Sequence, residues 1–194
     1  MVVGISGGIA SGKTVVSNII KKLNYPLIDC DEISHQVFDL PEIQDKIRKE
    51  ILNTETITRK DVSDIVFKDK EKLQKLNAIM HPYILDILQK EIKKYDFCFV
   101  DCPLLYDLSL EYLFDKIIFV YANKEKQIER LMVRNNINYE DALLRINNQM
   151  AIDDKLSLAK TRSDYIVYNN DVDINELEKE VKKIVLEIEE EKWN

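Results

Sequence analysis

Two habits of apolar placement alternate along this chain. Val2 to Ser6 is a short apolar run, whereas Thr14 to Leu23 carries Val15, Ile19, Ile20 and Leu23 at helical spacing. The first habit predicts a buried strand and the second an amphipathic helix. Pro26 to Asp31, Phe97 to Leu105 and Lys116 to Ala122 repeat the strand habit, and Tyr165 to Tyr168 repeats it more weakly. Helical stretches lie between them. Apolar strands alternating with helices suit an α/β fold, a parallel sheet flanked by helices on both faces.

The spacing is uneven. Roughly 65 residues separate Asp31 from Phe97, far more than the dozen or so a crossover between parallel strands requires. A helical insertion is expected there, with a break between two helices at His81-Pro82, because proline biases the preceding residue away from helical geometry. A second helical surplus, rich in Arg, Asn and Gln, runs from Lys124 to about Lys160, and Ile174 to Trp193 closes the chain as a helix with a Glu/Lys surface. For 194 residues with 45% apolar content, one domain with insertions is expected. Its core would span about 1–31, 95–123 and 160–194, with insertions at about 32–94 and about 124–159.

Composition narrows the function classes. A net charge of −7 argues against sequence-independent nucleic-acid binding, which draws on Lys and Arg contacts to phosphate. No signal-peptide pattern opens the chain, and no window approaches the roughly 20 apolar residues of a membrane span. A cytoplasmic protein is expected. Cys30, Cys98 and Cys102 lack CxxC spacing and adjacent histidines, so buried small hydrophobes are expected rather than a zinc site or disulfides.

All four glycines, Gly4, Gly7, Gly8 and Gly12, fall within the first twelve residues. Glycine is needed where φ is positive or where backbone approaches a ligand closely. Gly7-Gly8-Ile9-Ala10-Ser11-Gly12-Lys13-Thr14 fits GxxxxGK[ST], directly after a predicted strand and before a predicted helix, the context that confirms a phosphate-binding loop. Backbone N–H groups through Val15 and the positive end of the helix dipole would surround ATP phosphates. Lys13 adds positive charge, and the Thr14 hydroxyl is the expected ligand of Mg²⁺. A GTP switch is excluded by the absence of any glycine beyond position 12, which removes a DxxG element. Asn123-Lys124-Glu125-Lys126 carries Lys where the guanine-reading motif has Asp.

A small-molecule kinase needs a base, a cationic lid and an acceptor pocket, because phosphoryl transfer depends on positioning and charge neutralisation. Asp31, with Asp29 beside it, stands at the carboxyl end of the second strand, where open α/β sheets place ligands. It is the candidate base; the alternative is an N-cap for the segment starting at Glu32. Asp101 ends an apolar strand as a candidate metal-side carboxylate, or as a turn residue before Pro103. Arg130 and Arg134 share one helical face with Gln127 one turn earlier, and with Arg145 they are the candidate lid cations. His81 reads as a packing or hinge histidine, with contact to an acceptor phosphate as the functional alternative.

These pieces, in this order, resemble the dephospho-CoA kinase family. The resemblance runs through Ile5 to Thr14, Ile28-Asp29-Cys30-Asp31, Val66-Phe67 with Leu73 and Leu76, His81-Pro82, Pro103-Leu104-Leu105-Tyr106, the Gln127, Arg130 and Arg134 series, Arg145-Ile146 with Gln149, and Ser163-Asp164 leading to Asn169. It implies a P-loop kinase fold with a five-stranded parallel core, a helical domain holding 3′-dephospho-CoA and a lid. It also implies Asp31 as base and Lys13 and Arg134 as catalytic cations. Asn169 would lie near the nucleotide base or ribose, and Leu104, His81 and Arg145 on the acceptor side. A monomer acting on a small molecule is expected, without nucleic-acid or membrane partners. The sequence departs from the family pattern at Ala10, where glycine is usual and alanine fits if φ is negative, at Asp107, where Glu is frequent, and at Asn170-Asp171, which replaces Asn-x-Gly. A nucleoside or nucleoside-monophosphate kinase, or an ATP-binding module without turnover, are the competing readings.

Overall fold

The computed structural model describes residues 1–52, 57–66 and 69–193; Phe67, part of the resemblance, lies outside them. Strand β1 (Val2–Gly7) leads through a loop into α1 (Lys13–Lys22) and β2 (Leu27–Asp29). After α2 (Cys30–Phe38), α3 (Pro41–Ile47), α4 (Arg59–Val66) and α5 (Lys70–Ile92), the chain returns to β3 (Cys98–Asp101) and β4 (Lys116–Tyr121). Helices α6 (Lys124–Asn135), α7 (Tyr139–Asn147) and α8 (Ile152–Arg162) precede β5 (Tyr165–Tyr168) and α9 (Ile174–Trp193). The strands form one sheet of order β2-β3-β1-β4-β5. β1 pairs in parallel with β3, Ile5 opposite Asp101, and with β4, Gly7 opposite Val120. The expected five-stranded parallel core is therefore present, and the glycine loop leaves it from the middle of its carboxyl edge.

Two compact units result, Met1–Ile28 with Tyr95–Asn194, and Asp29–Lys94. In the first, α1 and α9 cover one face of the sheet: Val16, Ile19, Ile20, Val181 and Val185 pack on Val3, Ile5, Phe99 and Val120. On the wholly buried Tyr106 ring, Phe119 stacks edge-on at 5.4 Å between centroids. In the second unit, Ile33, Val37, Ile43, Ile47, Val62 and Leu88 are buried among helices. Burial of such side chains contributes about 1.5–3 kcal/mol each before conformational entropy is counted.

Local chemistry sets the boundaries. The second strand ends earlier than its apolar run predicts, because the Asp29 side chain accepts from the N–H groups of Asp31 and Glu32 and starts α2 at once. Asp69, Asn123 and Asn138 cap α5, α6 and α7 in the same way. The expected helix break at His81-Pro82 is absent: α5 runs straight through, with Pro82 inside it. Proline there removes the N–H that would reach the Ala78 carbonyl; the helix continues across it because residues on either side of the proline, Ile79 and Met80 before it and Leu88 after it, are buried. Beyond the loop, with no glycine available, Asn24, Ser109, Asn136 and Ser163 take the positive-φ positions.

Candidate active site

Residues 8–12 turn the chain from β1 into α1. Gly12 precedes the helix at φ 95°, and no side chain caps the α1 N-terminus. Its leading N–H groups are therefore available to an anion, which the helix dipole also favours. Gly12 must be glycine twice over, since its φ lies in the left-handed region and an added Cβ would sit 2.1 Å from Asn169 Nδ2. Gly8 is required by close approach: a Cβ there would meet Gln127 Nε2 at 2.5 Å and Ile152 Cδ1 at 2.8 Å.

The loop is held from behind. Asn169 Nδ2 donates to the Ser11 carbonyl at 2.9 Å, and Arg130 Nη1 reaches the same oxygen at 3.4 Å. A trans peptide carries C=O and N–H on opposite sides, so anchoring the Ser11 carbonyl outward turns the Gly12 N–H toward the loop interior. Asn169 is buried. The structure thus gives it a supporting place behind the loop rather than a surface open to base or ribose. Arg130 Nη2 also donates to the Asn170 carbonyl at 3.0 Å, while Asn170 Oδ1 accepts from the Asn123 N–H at 2.8 Å and Lys126 pairs with Asp171 at 2.8 Å. The Asn170-Asp171 departure thereby fastens the start of α6 to the end of β5.

Ala10 has φ 58°. The expectation of a negative φ fails, and the alanine Cβ is accommodated in a left-handed conformation that costs an L-residue roughly 1–2 kcal/mol. Among the described residues the buried Ser11 hydroxyl has no hydrogen-bond partner.

Asp101 lies beside this loop because β3 is the neighbour of β1. Its carboxylate receives the Lys13 ammonium on Oδ1 and the Ser17 hydroxyl, at 2.6 Å, on Oδ2. It is a member of the phosphate-loop cluster and not merely a turn residue. Ser17 is a site residue that the sequence reading did not name; the signal was available, since Lys13 and Ser17 are four apart on one helical face. Thr14 is exposed in the first turn of α1. Two hard oxygen donors, the Thr14 hydroxyl and the Asp101 carboxylate, fit Mg²⁺, which takes few protein ligands and keeps its waters. Among the described residues no group of three or more His, Cys, Asp or Glu forms a dedicated metal cage.

Other candidates are distributed differently. Gln127 is buried and donates from Nε2 to the Ala122 carbonyl at 3.0 Å, so it is a structural member of the wall behind Gly8. Arg134 is exposed and bonds its neighbour Asn135 at 3.0 Å, and Arg145 is exposed on α7; neither is brought onto the loop here. Asp31 is exposed in the first turn of α2, and because Asp29 supplies the cap, the capping alternative for Asp31 falls away. Leu104 is 38% exposed in the turn after β3. His81, on α5, has its pKa pushed below the ordinary 6.5 by burial, so at neutral pH it offers a neutral imidazole.

A parallel sheet of this order, a phosphate loop leading into a helix, and a carboxylate from the adjacent strand beside the loop lysine together define a P-loop kinase. The chain matches the dephospho-CoA kinase family over residues 1–176. It is 38% identical over 198 residues to a dephospho-CoA kinase of Listeria innocua, covering 96% of this chain and 95% of that protein. Among solved structures it is similar to TT1252 from Thermus thermophilus, with a TM-score of 0.80, 26% identity and coverage of 96% and 97%. It is also similar to dephospho-CoA kinase from Campylobacter jejuni, with a TM-score of 0.67, 28% identity and 96% coverage of both chains. The chain belongs to the dephospho-CoA kinase family.

Proposed function

We propose that this protein transfers the γ-phosphoryl group of ATP to the ribose 3′-hydroxyl of 3′-dephospho-CoA, giving CoA and ADP, the last step of coenzyme A synthesis. The observation that carries the reading is the family match over residues 1–176, within which the phosphate loop and its Lys13–Asp101 pair stand at the centre of the sheet. The acceptor oxygen bonds to the γ-phosphorus, the bond from phosphorus to the β–γ bridging oxygen breaks, and ADP leaves. Asp31 accepts the hydroxyl proton; its support is its exposure past the carboxyl end of β2 and the assignment of capping to Asp29. The uncapped leading N–H groups of α1, from Gly12 to Thr14, and the Lys13 ammonium neutralise the phosphate oxygens, while the N–H groups of Ile9, Ser11 and Val15 are spent on Gln149, Gly8 and Gly12 and hold the loop's shape. Arg134 and Arg145 are mobile cations on α6 and α7 that close over the nucleotide, and His81 and Leu104 contact the acceptor. Mg²⁺ would be held by Thr14 and Asp101 and would supply neutralisation of phosphate charge.

The reading is that of a monomer. Among the described residues no helix is long and apolar enough to cross a membrane; with three cysteines outside disulfides, this supports a cytoplasmic setting.

The test is ADP release from MgATP with and without dephospho-CoA, with AMP, CMP, UMP, dTMP and pantothenate as parallel acceptors. Turnover with dephospho-CoA alone, and CoA as product, is expected. Turnover with a different acceptor would overturn the substrate. In the same assay Asp31→Asn should bind ATP normally and lose most turnover, and an unchanged rate would remove Asp31 as the base.

A further inference from the structure

One buried charge pair in the Met1–Ile28 and Tyr95–Asn194 unit has no part in the chemistry above. Lys155 on α8 is wholly buried, and its ammonium lies 2.5 Å from Asp107 Oδ2, in the turn that follows β3. The other carboxylate oxygen, Oδ1, accepts the Met150 N–H at 2.7 Å. A buried ion pair of this kind contributes little net stability over an apolar pair of the same volume. Its position points to what it does contribute.

Ala151, the residue before α8, makes no side-chain cap. The Asp107 carboxylate, from 43 residues earlier in the chain, meets the α8 N-terminus there. Its charge suits the positive end of that helix. The junction it fixes, residues 148–151, is the outer wall of the phosphate loop. Gln149, next to Met150, accepts the Ile9 N–H on Oε1 at 3.2 Å. Ile152, the first residue of α8, lies against Gly8 so closely that a Cβ on Gly8 would be 2.8 Å from its Cδ1. The bonds of Asp107 go to Met150 and Lys155, yet two of the contacts on the loop's first half, those of Gln149 and Ile152, hang from the segment it holds, beside that of Gln127 on Gly8.

We propose that Asp107, paired with Lys155, is a positioning residue for phosphate transfer: it sets the α7–α8 junction so that Gln149 and Ile152 hold Gly8 and Ile9 in the conformation that receives ATP. The same turn carries Leu104, so one carboxylate ties the acceptor-side turn to the donor-side loop. This inference rests on the kinase reading above.

The experiment compares Asp107→Asn, Asp107→Glu, Gln149→Leu, the double variant Asp107→Asn/Gln149→Leu, and the apolar replacement Asp107→Leu/Lys155→Met. For each, kcat and KM for ATP are measured with dephospho-CoA, ATP affinity is measured without acceptor, and the thermal midpoint is recorded. Asp107→Asn and Gln149→Leu should each lower kcat/KM for ATP by about 10- to 100-fold, the scale of a misplaced site. Asp107→Glu should restore a large part of the loss. The double variant should be no worse than Asp107→Asn, because one residue acts through the other. Asp107→Asn leaves the Lys155 ammonium buried without its counter-charge and can fail to fold. The Leu/Met pair removes both charges, and it should fold while keeping the kinetic defect. Wild-type kinetics in the Leu/Met pair or in Gln149→Leu, or additive losses in the double variant, would overturn the proposal. Acceptor-free ATP affinity keeps the two questions apart: a wild type that binds ATP but ignores dephospho-CoA would sink the substrate assignment and leave this test standing.

Discussion

At the scale of single residues, the phosphate loop is governed by which positions tolerate a Cβ. Ala10 at φ 58° carries one in the left-handed region. Ala10→Gly should relieve that strain against the extra entropy of an unfolded glycine, a net gain of up to about 1 kcal/mol. The midpoint of urea unfolding measures it; no gain would mean the loop is unstrained there. Asn169→Asp keeps the shape but sets a carboxylate oxygen against the Ser11 carbonyl in place of a donor. ATP affinity should fall by roughly tenfold or more, as expected for a buried hydrogen bond left unmade. An Asn169→Asp protein with unchanged affinity would show that the Ser11 carbonyl needs no donor behind it. The loop itself is legible in the sequence because its glycines, lysine and threonine are contiguous. The place of Asn169 is not, because its partner lies 158 residues away and it takes the pairing of β1 with β4 and of β4 with β5 to bring the two together.

Among elements, α5 illustrates where local rules yield to packing. The sequence predicts a break at Pro82, and the helix continues because its buried residues bind it to the neighbouring helices of its unit. Within it, burial lowers the His81 pKa from 6.5. Below about pH 6.5 the unfolded chain then binds more protons than the folded one, so the stability present at neutral pH is lost as pH falls through the unfolded pKa toward the depressed folded value. Unfolding free energies at about pH 7.5 and about pH 5.5 should differ less in His81→Gln than in the wild type. Equal differences in the two proteins would assign the pH dependence to other groups. The ends of elements divide in the same way. Asp29 and Asp69 are capping residues by type and position, yet an apolar run extending to Asp31 conceals that the strand stops at Asp29.

For the whole molecule, alternating apolar strands and helices are enough to read a parallel sheet, and the long gaps between strands are enough to read the helical surpluses. Strand order is another matter, since no periodicity says that β3 inserts between β1 and β2 and thereby carries Asp101 to Lys13. Once that neighbour is in place, ligand binding and folding are linked. MgATP at about 100 times its dissociation constant should raise the unfolding midpoint by roughly 5–10 °C. Lys13→Ala should abolish most of that shift and also lower its own ligand-free midpoint, because the buried Asp101 carboxylate loses its counter-charge, and a full shift in the variant would remove Lys13 from the phosphates. The three cysteines carry a further consequence. Cys30 opens α2 in the Asp29–Lys94 unit, Cys98 opens β3 and Cys102 follows it in the other, all are buried, and burial raises the Cys98 pKa so that its reactive thiolate is scarce. Alkylation of each thiol therefore waits for its own surroundings to open, and the protein carries native reporters that time the opening of each unit separately, with no label introduced.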